Sequence, residues 1–173
     1  VEKLRRLRVG ALFMEQGTGK TRTALELINI RLEKGKVDKV LWLCPCSVIE
    51  NLMRDFEKHC GSRLEEIVKV CGIESLSRSV RLNTECLNFV ENNRVFLVVD
   101  ESILVKSFWA QRSENIQRLA EHCTYKIILN GTPISKSASD LFGQWYLLDW
   151  RILGYKSWYS FSANHLERDE KTH

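Results

Sequence analysis

An α/β fold wound on both faces of a mainly parallel sheet is predicted by three observations. Five short β-rich runs alternate with longer stretches of helical character. Runs such as LWLC and VFLVV are apolar on both faces, which suits strands covered by helices on each side. The two prolines, Pro45 and Pro133, each stand just beyond a strand, at the carboxyl edge where open α/β sheets place their ligands. With 173 residues, 44% of them hydrophobic, the chain can bury one good core and is too short for two domains of ordinary size. One domain over residues 1–160 with a charged tail over 161–173 follows, the last residues, Glu167–His173, fraying.

The strands are read at Val9–Met14, Lys39–Cys44, Ile67–Cys71, Val95–Val99 and Lys126–Leu129. Before the first, Glu2–Arg8 reads as the end of a helix whose arginines face solvent. Thr21–Glu33 carries Ala24, Leu25, Ile28 and Leu32 at helical spacing, and Gly35 follows as a stop. Ser47 is placed to cap the next helix in a box with Glu50, ahead of an apolar stripe of Ile49, Leu52, Met53 and Phe56. Phe108–His122 and Ser139–Leu148 read as two further helices. Six aromatics, Trp145, Tyr146, Trp150, Tyr155, Trp158 and Tyr159, crowd one segment. Packing of the last helix or a seat for another lobe accounts for them better than base stacking.

A formal net charge of +4 permits contact with a polyanion without demanding it. The six cysteines lie mostly in or beside apolar segments without paired CxxC spacing, as reduced, buried thiols of a cytosolic protein do. Cys44-Pro-Cys46 alone makes a weak site for a soft metal. No apolar run approaches the roughly 20 residues that span a bilayer, so no membrane partner is expected.

Three motifs carry chemistry. A strand runs into Gly17-Thr18-Gly19-Lys20-Thr21, and a helix leaves it. Glycines let backbone amides approach phosphate oxygens closely, a lysine brings a point charge to the β and γ phosphates, and a threonine hydroxyl ligates magnesium. Gly17, Thr18, Gly19, Lys20, Thr21 and Arg22 are thus the candidate nucleotide-binding residues, although Met14 stands where the pattern usually begins with glycine. Asp100-Glu101 ends an apolar strand 80 positions after Lys20. Aspartate there can hold the magnesium with Thr21, and the neighbouring glutamate can polarise the attacking water. The same pair can also cap a following helix, but its spacing from the loop favours the catalytic set Lys20, Asp100 and Glu101. Asn130-Gly-Thr-Pro133 makes a turn after the last strand, and Gly131 and Thr132 are its candidate nucleotide-sensing residues.

These residues resemble the first RecA-like lobe of superfamily-two helicases, and within it the Swi/Snf-type translocases on double-stranded DNA, phage and bacterial members in particular. The resemblance runs from about Leu12 to Asp149. GTGKT is similar to the family's motif I. Cys44–Lys58 is similar to motif Ia, with Asn51 present and Leu52 where tryptophan is common. Asp100–Ser107 looks like motif II, with Ile103 in the histidine place and Ser107 in the asparagine place; Asn130–Gln144 looks like motif III, with Asn130 where threonine is usual. The missing histidine puts the usual link between motifs II and III in question. The resemblance implies an ATP- and magnesium-dependent DNA ATPase, with Pro45, Ser47, Glu74, Ser75 and Pro133 on the nucleic-acid track.

The glutamate beside the metal aspartate suggests the P-loop class in which an extra strand is inserted, so Lys126–Leu129 should lie between Val9–Met14 and Val95–Val99. Neither the family's upstream glutamine motif nor its second lobe is recognisable, so a second RecA-like lobe, in cis or in trans, is expected as partner, and the isolated lobe should hydrolyse ATP poorly. A cytoplasmic setting, prokaryotic or in a phage-infected host, follows from the same resemblance. Two rivals stay open. A nucleotide kinase or GTPase would also use the loop, yet no guanine-reading Asn-Lys-x-Asp and no arginine-rich lid is seen. A catalytically idle nucleotide- or DNA-binding module fits less well with Lys20, Thr21, Asp100 and Glu101 all intact.

Overall fold

Alternation within the apolar runs builds the sheet's two buried faces. In Lys39–Cys44 (β2), Val40, Trp42 and Cys44 join one apolar layer while Leu41 and Leu43 join the other. Val95–Asp100 (β4) divides the same way, Phe96 and Val98 against Val95, Leu97 and Val99. Such strands cannot tolerate water on either side. Val9–Phe13 (β1), Val68–Gly72 (β3) and Tyr125–Asn130 (β5) complete the sheet. The structure, a computed structural model, describes residues 1–60 and 66–166. The tail Glu167–His173 lies outside the described residues.

The strand order is β1-β5-β4-β2-β3, and every pairing is parallel. β5 is therefore the inserted strand, with Leu12 opposite Leu129 on one side and Val99 opposite Ile128 on the other, as the glutamate beside Asp100 predicted. Lys20–Glu33 (α1) and Ile49–Cys60 (α2) cover one face, where Phe56 meets Trp42 edge to face at 5.2 Å. Ile73–Arg78 (α3), Val80–Asn92 (α4), Gln111–Glu121 (α5) and Asp140–Leu148 (α6) cover the other. Trp158–His165 (α7) packs its buried Phe161 on Phe142 of α6 at 5.1 Å, so helical structure crosses position 160.

Several expectations are corrected. Residues 2–6 form turns and not the end of a helix; the buried Arg31 guanidinium donates to the Leu7 carbonyl at 2.7 Å and the Leu4 carbonyl at 3.4 Å and so ties the segment to α1 in that conformation. Ser47 does not cap α2; it sits inside a 3-10 turn, Cys46–Val48, which starts from Pro45 without a side-chain cap. α5 starts at Gln111 and not at Phe108, whose ring instead packs against Phe142 at 5.1 Å and Tyr146 at 4.9 Å. Gly35 does end α1, with φ 59° in the left-handed region.

Candidate nucleotide-binding site

The loop from β1 to α1 turns through two left-handed glycines, Gly17 (φ 79°) and Gly19 (φ 88°), and no heavy atom lies within 4 Å of where a Cβ would sit on either. That open space, together with the unpaired amides of the first turn of α1, is the shape an anionic phosphate chain requires. Lys20 opens α1 and folds back over the loop, its Nζ donating to the Met14 carbonyl at 3.0 Å and the Glu15 carbonyl at 3.2 Å. Thr18 Oγ1 donates to the same Glu15 carbonyl at 2.6 Å. Thr21 is half-buried in the first turn, whereas the Arg22 side chain is exposed.

Asp100 ends β4 and Glu101 follows it. Burial raises the Asp100 pKa above the ordinary carboxylate value and the Glu101 charge adds to this; the Glu101 amide, which donates to Asp100 Oδ1 at 2.9 Å, and the Lys20 charge act the other way. A half-desolvated carboxylate within reach of a lysine charge is suited to a divalent cation. Glu101 has φ 50°, the one positive φ at a non-glycine among the described residues. Strain of this kind persists only where the surroundings impose it.

Those surroundings were not legible as a motif. Gln144 of α6, fully buried, accepts from Ser102 Oγ at 2.7 Å and donates to the carbonyls of Pro133 at 2.7 Å and Asp140 at 2.8 Å. Asn130 Nδ2 lies 3.4 Å from the same amide oxygen, and Asn130 Oδ1 accepts from the Thr132 amide at 3.1 Å. Asp140, 7% exposed, gathers the amides of Ser135 at 2.7 Å and Lys136 at 2.9 Å, the Ser135 hydroxyl, and the Lys106 ammonium at 3.3 Å. Burial works against its charge, but these donors outweigh burial and hold its pKa at about 2. Polar residues four apart on an otherwise apolar helix, Asp140 and Gln144 in DLFGQWYLL, are the signal that marks both. Gly131 and Thr132 stand exposed on the turn between them and the loop.

The residues expected on the nucleic-acid track form a second group at the same carboxyl edge. β2 and β3 are neighbours, so the turn of Pro45, Cys46 and Ser47 lies beside the start of α3: the Cys46 amide donates to Glu74 Oε2 at 2.9 Å, and Cys46 Sγ lies 3.3 Å from Ser75 Oγ. A Cβ on Gly72 would lie 2.2 Å from Cys46 Sγ, so a larger residue there would have to turn that thiol aside. Partial burial raises the Glu74 pKa, yet the Cys46 amide and further hydrogen bonds leave it below the ordinary value. Pro133 belongs to the other group, beside Gln144. Cys44 is a core thiol pushed up to about 12, by burial first and by the Asp100 charge next. Of the late aromatics, Trp158 packs on Phe142 at 5.3 Å and Trp145 meets Phe13 edge to face at 5.7 Å, whereas Tyr159 is exposed.

A five-stranded parallel sheet with a glycine loop on one strand and a carboxylate pair two strands away defines a RecA-like lobe. The chain belongs to the family described as type III restriction enzyme, res subunit, whose profile matches residues 2–135. It is 24% identical over 150 residues to the ATP-dependent helicase fft1 of Schizosaccharomyces pombe, covering 76% of this chain and 16% of that protein. It is 27% identical over 172 residues to the human DNA repair and recombination protein RAD54B, covering 88% of this chain and 19% of that protein. The chain thus spans less than a fifth of the length of either relative. In fold it is similar to the Sulfolobus solfataricus SWI2/SNF2 ATPase core, solved alone (TM-score 0.70, 23% identity, 93% of this chain and 34% of that one) and in complex with dsDNA (TM-score 0.69, 23% identity, 88% and 33%).

Proposed function

We propose that this lobe binds MgATP and, with a second RecA-like lobe in cis or in trans, couples ATP hydrolysis to movement on duplex DNA. The observation that carries the reading is the topology, which puts the glycine loop before Lys20 beyond the carboxyl end of β1 and Asp100 and Glu101 at the carboxyl end of β4, with the β5 turn between them. Gly17, Thr18 and Gly19 cradle the phosphates with backbone amides, Lys20 exchanges its carbonyl partners for β and γ oxygens, and Arg22 stands at the rim. Thr21 and Asp100 would hold magnesium, which neutralises phosphate charge and fixes its orientation. Glu101 orients the attacking water. Gly131 and Thr132 pass the state of the site to the neighbouring lobe.

Duplex DNA is supported by the SWI2/SNF2 core solved with dsDNA and by relatives whose names describe helicase and DNA-repair proteins. On this chain the track would run over Pro45, Ser47, Glu74, Ser75 and Pro133, touching phosphates more than base edges. Arginines of the second lobe would compensate the transition-state charge, an effect of about 10³–10⁵ in rate, so the lobe alone turns over near background. A setting in the cytoplasm of a prokaryotic or phage-infected cell accords with this role; no described helix is long and apolar enough to cross a membrane. Calorimetric titration with MgATP tests the reading. Lys20→Ala should bind at least about tenfold more weakly with an unchanged circular dichroism spectrum, and equal affinity for variant and parent would refute it.

A further inference from the structure

A buried primary amide is tolerated only when its polar atoms are satisfied, and Gln144 meets that condition in an unusual place. Its oxygen takes the Ser102 hydroxyl and faces the Asn130 amide, while its nitrogen serves the Pro133 and Asp140 carbonyls. Four partners on three segments thus meet at one side chain: the turn after β4, the end of β5 with its following turn, and the first turn of α6. Gly143 allows the approach, because a Cβ there would lie 2.7 Å from the carbonyl oxygens of both Val105 and Lys106. α6 is pressed against the turn after β4, and the amide reaches Ser102.

Ser102 is the residue after Glu101, whose left-handed backbone needs an external restraint. At the other end, the Asn130 carbonyl accepts the Met14 amide at 3.1 Å, and the Met14 carbonyl accepts Lys20 Nζ at 3.0 Å. A continuous path therefore runs from the phosphate loop through Met14 and Asn130 to Gln144, and from there through Ser102 to Glu101. Ile103, in the place where the resembling family carries histidine, takes no part in it.

We propose that Gln144 is a positioning residue which, through Ser102, holds Glu101 in its left-handed conformation and ties that conformation to the Asn130–Pro133 turn, so that phosphate binding at the loop is felt at both. The proposal rests on the MgATP reading for its second half only. The restraint on Glu101 is a property of the folded chain.

Nuclear magnetic resonance on the 173-residue chain separates the two. In the parent, saturating MgATP should shift the Gly17 and Gly19 amides and also the side-chain amide of Gln144. In Ser102→Ala and Gln144→Leu, without nucleotide, the Glu101 Cα and Cβ shifts should leave left-handed values. Amide exchange at Leu104 and Lys106, which donate to the Glu101 and Ile103 carbonyls at 3.0 and 3.2 Å, should rise at least about tenfold while Leu41 and Leu43 in β2 stay within about twofold, which distinguishes local release from global loosening. Ser102→Ala removes one hydroxyl and keeps the test open if Gln144→Leu does not fold. Unchanged Glu101 shifts in the folded variants, or loop shifts with a silent Gln144 amide, would overturn the proposal. Silence of the loop amides themselves would instead sink the nucleotide reading, and the comparison without nucleotide would still decide the restraint.

Discussion

Replacing Asp140 by asparagine should unfasten the segment after Pro133 at a magnitude the structure sets. Asp140 Oδ2 receives the Ser135 amide, the Ser135 hydroxyl and the Lys136 amide, and the Lys106 ammonium lies 3.3 Å from Oδ1. An Asn side chain offers one acceptor oxygen where the carboxylate offers two, and it has no charge for Lys106. With the carboxyl side chain 9% exposed, solvent screening is slight, and a pKa lowered from 3.8 to about 2 corresponds to about 2 kcal/mol of stability. The sign follows from the depressed value: the contribution is complete above the unfolded pKa and fades as pH falls toward the folded one. Urea denaturation of Asp140→Asn and parent should therefore differ by about 2 kcal/mol at pH 7 and by about half of that near pH 3. A gap below about 0.5 kcal/mol at pH 7, or one that stays constant with pH, would refute the argument that the charge itself holds this loop.

Other perturbations address the site, the track and the core. Glu101→Gln should keep MgATP affinity within about threefold yet abolish the gain of orders of magnitude in hydrolysis that a cognate second lobe confers; single-turnover assays with and without that lobe check it, and rapid turnover by the lobe as a proven monomer would disprove the need for a partner. Affinity for duplex DNA should be weak and fall steeply with salt whatever the base sequence, as fluorescence anisotropy across a salt series can show. Binding confined to one sequence would remove the translocase reading. Leu97→Ala, at the centre of β4 and fully buried, should cost about 2–5 kcal/mol in chemical denaturation with the strand order unchanged; a loss under about 1 kcal/mol would show that the layer refills the cavity.

What the chain's order of residues determines by itself is whatever depends on near neighbours. Apolar runs of five or six residues specify strands because both faces must be covered, and Gly17 and Gly19 specify the loop because only glycine takes those dihedrals freely. The placement of Lys20 and Thr21 at the start of α1 and of Asp100 and Glu101 at the end of β4 could be read the same way, and even the insertion of β5 followed from the glutamate beside Asp100. Ser47 shows the limit of such reasoning: its spacing to Glu50 favours a capping box, but Pro45 starts a 3-10 turn first, and the Cys46 amide is taken by Glu74, 28 positions away. Arg31 shows it again, holding the carbonyls of Leu4 and Leu7 from 27 and 24 positions along the chain. Gln144 and Asp140 gain their roles from Ser102 and Lys106, 42 and 34 positions away, which meet α6 only after β4 and β5 pair and Gly143 lets the helix close on the turn. Periodicity reports which face of an element is buried. Which polar group waits there to be satisfied is decided by the packing of elements against one another, because a hydrogen bond needs distances and angles that exist only once the layers have closed.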